Sequence, residues 1–171
     1  MEYLSLIAHS DTPPIAVGSI QVANWRDGDR WRFRYLLDGI SRLVLPDPGK
    51  PGRADRLWQT TCFEAFVSLG GESYVEFNFS PSGAWAAYRF DSQRDGMSEE
   101  PTEIEVWLEG GEEWIAVEAA VKCDALAGRA ALSVTAVIEE TGDRKSYWAL
   151  AHPSGAPDFH DRSCFLARLP E

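Results

Sequence analysis

A chain of 171 residues, 44% of them hydrophobic and 12% aromatic, is long enough for one domain that buries roughly 70% of its unfolded surface without metals or disulfides. Its formal net charge of -11 argues against a nonspecific polyanion partner, because neutralising phosphates takes clustered Lys and Arg, so nucleic acid and anionic membrane surfaces are both disfavoured. Met1 is followed by no basic leader and no stretch approaches the ~20 apolar residues of a membrane helix, so the sequence reads as a cytoplasmic chain with one domain over residues 1–171.

Alternation with a period of two, rather than 3.6, organises the chain. "IAVGSIQVANW" and "RWRFRYLLDG" read as two strands around Arg26-Asp27-Gly28-Asp29, and residues 46–56, "PDPGKPGRADR", as a surface loop before Trp58. In "CFEAFVS" Phe63, Ala65 and Val67 face one side while Glu64, Phe66 and Ser68 face the other. "YVEFNFS" sets Val75, Phe77 and Phe79 against Tyr74, Glu76 and Asn78, and the glycines of "LGGE" join the two runs as a hairpin. Pro81-Ser82-Gly83 then turns the chain into "AWAAYRF", where Trp85 and Ala87 alternate with Ala86, Tyr88 and Phe90.

"EIEVWLE" points Ile104, Val106 and Leu108 inward and Trp107 outward; after Gly110-Gly111, "WIAVEAAV" points Ile115, Val117, Ala119 and Val121 inward and Trp114 outward. Residues 122–130 are too short, with Gly128 inside, to hold a helix and read as a turn. "ALSVTAVIEE" and "KSYWALA" form a last hairpin around Thr141-Gly142-Asp143, residues 151–163 a loop, and "CFLARL" a returning edge strand. About nine or ten strands with little helix predict an all-β fold, a two-sheet antiparallel β-sandwich of jelly-roll type.

The chemistry-bearing residues narrow the function by exclusion. Cys62, Cys123 and Cys164 are odd in number and widely spaced, which suits buried apolar residues and neither a disulfide framework nor a zinc site. There is no Gly-x-Ser-x-Gly elbow and no phosphate-cradling glycine loop, so a serine hydrolase and a nucleotide enzyme are disfavoured. His152, Asp158, His160 and Asp161 match no compact metal-binding spacing, and no metal or other cofactor is expected from them. Calcium stays an open alternative through Asp47, Asp55, Asp91 and Asp95, which lie in or beside loops without an Asp-x-Asp-x-Asp run.

Glu64 and Glu76 fall on the same face of adjacent strands, as the carboxyl pair of a glycosidase does, unless each is neutralised by Arg56, Arg89 or Arg94. Carbohydrate sites combine aromatic platforms with planar hydrogen-bonding groups. Trp58, Trp85, Tyr88, Trp107 and Trp148 supply platforms, and Glu64, Glu76, Asn78 and Arg94 supply partners, with His152 and His160 on the loop beside them.

Residues 57–88, "LWQTTCFEAFVSLGGESYVEFNFSPSGAWAAY", resemble the DOMON-like superfamily and, within it, the family 9 carbohydrate-binding modules. Trp58, Glu64, Tyr74, Glu76, Phe77, Asn78, Pro81 and Gly83 carry the resemblance. It implies a β-sandwich that binds sugar or haem rather than transforming it. Thr60 and Thr61 stand where the sugar-binding modules tend to have acidic residues, which weakens an inherited calcium site. Haem would need Met97 with His152 or His160 as axial ligands. The expected function is a noncatalytic binding domain for a saccharide or similar polyhydroxylated small molecule. The alternatives are a carboxylate-dependent enzyme acting on a glycoside, and a protein-interaction domain using Trp107 and Trp114.

Overall fold

The computed structural model describes residues 3–171, which form fourteen strands and two single-turn 3-10 helices. The strands are β1 (Tyr3–Ser5), β2 (Ile7–Ala8), β3 (Ser19–Asp27), β4 (Arg30–Asp38), β5 (Gly52–Arg53), β6 (Cys62–Gly70) and β7 (Ser73–Phe79). They continue as β8 (Ala84–Phe90), β9 (Ser98–Glu99), β10 (Glu103–Gly110), β11 (Trp114–Lys122), β12 (Ala131–Glu140), β13 (Arg144–Ala149) and β14 (Ala167–Arg168). The helical turns are Leu57–Gln59 and Arg162–Cys164. Among the described residues no helix is long and apolar enough to cross a membrane.

Two sheets face each other, as the alternation predicts. One has five strands in the order β1-β3-β4-β11-β10; the other has nine, ordered β2-β13-β12-β6-β7-β8-β5 with β14 beside β12 and β9 beside β8. Every pairing is antiparallel except β5 with β8. The core between the sheets takes the predicted residues Val117 and Val121 from the smaller sheet and Phe63, Val67, Phe77 and Phe79 from the larger, joined by Phe33, Tyr35 and Leu37 of β4 and Val134 and Ile138 of β12. Each is fully buried, a gain of about 1.5–3 kcal/mol per large side chain. Tyr35 spans the layers and donates its hydroxyl to the Glu64 carbonyl at 2.6 Å, so its polar tip is satisfied inside an apolar layer.

The hairpins form where their turns predict, with a bulge between Ser68 and Gly70 in the β6–β7 connection. Nine strands have six residues or more, and the other five are two- or three-residue pairings too short to show a period. Residues 15–18 of "IAVGSIQVANW" do not join β3. Instead the buried Glu140 carboxylate accepts the backbone N–H groups of Ile15 at 2.7 Å, Ala16 at 2.7 Å and Val17 at 3.1 Å. "CFLARL" contributes only Ala167–Arg168 as a strand, while Cys164 ends a helical turn. Leu108, predicted inward, is exposed, because β10 is the last strand of its sheet and its C-terminal half passes the rim of the core. All three cysteines are free and buried.

Candidate functional site

The second face of the larger sheet carries the opposite alternate residues, and it too is mostly covered. Phe66 of β6, Tyr74 of β7, Ala86, Tyr88 and Phe90 of β8, Val137 of β12 and Ala149 of β13 form a smaller cluster with Phe159. The segment around residues 157–165, the helical turn at Leu57–Gln59 and the turn at residues 91–97 pack over it. Between them and the sheet lies a cavity of about 770 Å³.

Glu64 and Glu76 lie on the strands below this cavity, 3% and 6% exposed. The β6–β7 register pairs Glu64 with Asn78 and Phe66 with Glu76, so the two carboxyls are diagonal rather than directly opposed. Glu64 Oε2 accepts from the Thr135 hydroxyl at 3.1 Å, and Glu76 Oε1 accepts from the Asn78 amide at 2.9 Å. Burial raises the Glu64 carboxyl well above the usual carboxylate range, and the charge of Glu76 raises it further, against Thr135 and Arg94. Burial likewise pushes Glu76 up to about 7, with the Asn78 bond and Arg94 working in the other direction.

His160 descends onto this pair from the covering segment. Its ring is held edge-on by Phe66 and Phe90, with centroids 5.1 Å away in each case. The Tyr74 oxygen accepts the Arg94 amide at 3.1 Å, which leaves its proton for Nδ1 of His160 at 2.6 Å. Nε2 then carries the ring proton and faces Glu76 Oε2 at 3.6 Å, beyond hydrogen-bond range. Burial, followed by Arg94, lowers His160 to about 4. Between about 4 and about 7 the His160–Glu76 contact therefore joins two neutral groups and is no ion pair.

Arg94 sits in the left-handed region at φ 58° in the turn after β8. The turn requires glycine at 96, where φ is +67° and an added Cβ would lie 2.1 Å from Asp91 Oδ2. Arg94 donates to Asp158 Oδ1 at 2.8 Å, Gln93 donates to Oδ2 at 2.8 Å, and the His160 amide donates to Oδ1 at 3.1 Å. Desolvation opposes ionisation of Asp158, but the Arg94 bond and charge outweigh it and hold the carboxyl below its ordinary value.

The walls are aromatic. Tyr88 donates its hydroxyl to Asp55 and has its own ionisation pushed upward, first by burial and then by that carboxylate. Phe90 stacks on Tyr74 with centroids 5.0 Å apart and planes at 14°. Tyr147 and Phe159 close another side, and Trp58, 50% exposed, stands at the mouth with Arg56 and Met97.

Trp58, Glu64, Glu76, Tyr88, Arg94 and His160 are thus brought together, with Asn78 buried behind Glu76. The other three expected residues lie elsewhere. Trp148 is 5% exposed in the core between the sheets, where its indole N–H donates to Ser146 at 2.9 Å; its place in the alternation of β13 is the inward one. Trp85 packs against the same core and carries the Arg53 guanidinium 4.7 Å above its ring. His152 Nε2 donates to the Ile7 carbonyl, 2.8 Å away, and the ring packs edge-on against His9 in a separate depression of about 400 Å³.

Nor do the proposed arginine partners reach the carboxyl pair. Arg89 binds Glu100 at 2.6 and 3.0 Å, Arg94 binds Asp158, and Arg56 is exposed at the mouth. No group of three or more His, Cys, Asp or Glu side chains is arranged to hold a metal ion among the described residues. Met97 and His160 share the cavity, where His160 Nδ1 is hydrogen-bonded with Tyr74 and Nε2 lies 3.6 Å from Glu76 Oε2. Sequence reasoning missed Tyr147, Phe159, Val137 and Thr135. The outward alternation of β12 and β13 marks Val137, Thr135 and Tyr147; nothing local marks Phe159.

No protein-family model matches the chain, and no curated protein matches it either. Its fold is that of a crystal structure from Bacteroides uniformis ATCC 8492, described as a "putative carbohydrate-binding protein". The two superpose with a TM-score of 0.65 over 96% of this chain and 84% of that one, at 17% sequence identity. At that identity the likeness shows a shared β-sandwich architecture.

Proposed function

We propose that this protein is a noncatalytic binding domain for a saccharide or a similar polyhydroxylated small molecule, and that residues 57–88 make it a DOMON-like domain. The observation that carries the reading is one cavity of about 770 Å³ in which aromatic walls meet a buried carboxyl pair. Aromatic faces accept the C–H face of a pyranose, and carboxyl and guanidinium groups accept and donate to paired hydroxyls. The superposition on a protein described as carbohydrate-binding supports the same reading. A glycan array followed by titration calorimetry is the test. Binding of a sugar that Trp58→Ala weakens by about 1–3 kcal/mol supports it, and no binding across the array at millimolar ligand removes it.

One observation favours a second reading, an enzyme acting on a glycoside. Glu76, at about 7, has the proton affinity of a general acid, and Glu64 lies beside it. In that case Glu64→Gln folds normally and abolishes turnover of a glycoside that the parent hydrolyses. Unchanged turnover in both Glu64→Gln and Glu76→Gln would exclude it.

A further inference from the structure

The floor of the cavity has more acceptors than the protein fills. Glu64 takes one hydrogen bond from Thr135 and Glu76 one from Asn78. The second oxygen of each, Glu64 Oε1 and Glu76 Oε2, accepts no hydrogen bond among the described residues. Both side chains are more than nine-tenths buried and line the cavity.

Of the cations around the cavity, Arg94 is engaged with Asp158 and Arg89 with Glu100, His160 is neutral with Nδ1 bonded to Tyr74, and Arg56 stands exposed at the mouth. A sugar hydroxyl could donate one hydrogen bond to this pair but would leave the two acids repelling or protonated. An ammonium has three donors and no acceptor, so it can reach both acids, and its single positive charge matches a pair that keeps one proton between them. Tyr88 and Phe90 line the same cavity, and aromatic rings favour a cation.

We infer that the ligand carries a protonated amine seated between Glu64 and Glu76, which within the saccharide reading above makes it an amino sugar. That reading is the premise, and the amine is the addition. A sugar acid is disfavoured at this seat, because its carboxylate would meet the same two acids. Besides each other, Glu64 and Glu76 are faced by Arg94 with Asp158 on the turn side, by His160 with Tyr74 behind, by Tyr88 of β8, and by Cys62 and Tyr35 from within the fold. Because burial raises both acids, seating an ammonium favours the ionised form of the pair, and binding releases protons.

The test is calorimetric titration of the full chain with glucosamine, galactosamine and mannosamine against glucose, galactose and mannose, in two buffers of different ionisation enthalpy. The expected result is that at least one amino sugar binds roughly tenfold or more tightly than its hydroxyl parent and releases protons. Acetylation of that amine should abolish the preference. Glu76→Gln and Glu64→Gln, each checked for a cooperative thermal transition, should bring the ratio of the two affinities close to one. If neutral sugars bind as tightly as their amino counterparts, the amine seat is overturned and the saccharide reading stands. If none of the six binds, the amino-sugar assignment falls, and the glycan array decides the saccharide reading separately.

Discussion

Replacing Glu76 by Gln tests whether the floor of the cavity is as poorly solvated as its geometry requires. A carboxyl held at about 7 in the fold against 4.5 in the open chain keeps a proton that the unfolded chain has already lost. Folding therefore weakens as pH rises through that interval, by about 1.4 kcal/mol per pH unit and about 3 kcal/mol in total. The group is 6% exposed, so solvent screening removes little of this. Glu64, also raised, acts in the same direction.

His160 acts in the opposite direction. It is lowered from 6.5 to about 4, so the unfolded chain binds the extra proton and stability rises with pH across that range by about 3 kcal/mol. The slopes overlap and oppose each other in the parent, which makes the difference between variant and parent the informative quantity. Urea unfolding of both proteins at half-unit steps should show Glu76→Gln gaining about 3 kcal/mol relative to the parent from about pH 4.5 to about pH 7. The amide keeps an oxygen for Asn78, so little else changes. A difference that stays level across that range would mean the carboxyl is solvated in the folded state, and the account of the floor would be wrong.

Other substitutions separate the parts of the molecule. Glu140→Ala leaves three backbone N–H groups without their acceptor and should cost about 3 kcal/mol, read as a fall in the urea midpoint at unchanged slope. Tyr74→Phe removes the link between the Arg94 amide and His160; it should cost about 1–2 kcal/mol and change the His160 tautomer, visible in its ring nitrogen shifts by NMR. Trp148→Ala should destabilise by about 3–5 kcal/mol, whereas Trp58→Ala should leave the thermal midpoint nearly unchanged and affect ligand affinity alone. Equal effects of the two tryptophans on stability would contradict their placement.

The strands and their inward faces were legible because each buried run alternates: Phe63, Ala65 and Val67 or Val75, Phe77 and Phe79 read as core from the letters alone. The same parity singles out Glu64, Glu76, Asn78 and Tyr88, polar groups on buried strands that must find partners. What periodicity cannot carry is contact between distant segments. Nothing near Asp158 signals Arg94, and nothing near Ile15 signals Glu140, 125 residues away. The tryptophans misled for a related reason, since a large aromatic serves a core and a platform equally well; the parity of Trp148 on β13, rather than its chemistry, puts it between the sheets.

Strand β7 has a consequence for how the protein can change. From Tyr74 to Phe79 no position is exposed: odd-numbered residues pack between the sheets, and even-numbered ones face the cavity or the groups lining it. Stability and recognition are thus written on alternate letters of one strand. A library varying residues 64, 76, 78 and 88, with 63, 65, 75, 77 and 79 held fixed, can explore new ligands on an unchanged scaffold. A one-residue insertion would exchange the two scripts and drive Glu76 into the hydrocarbon layer.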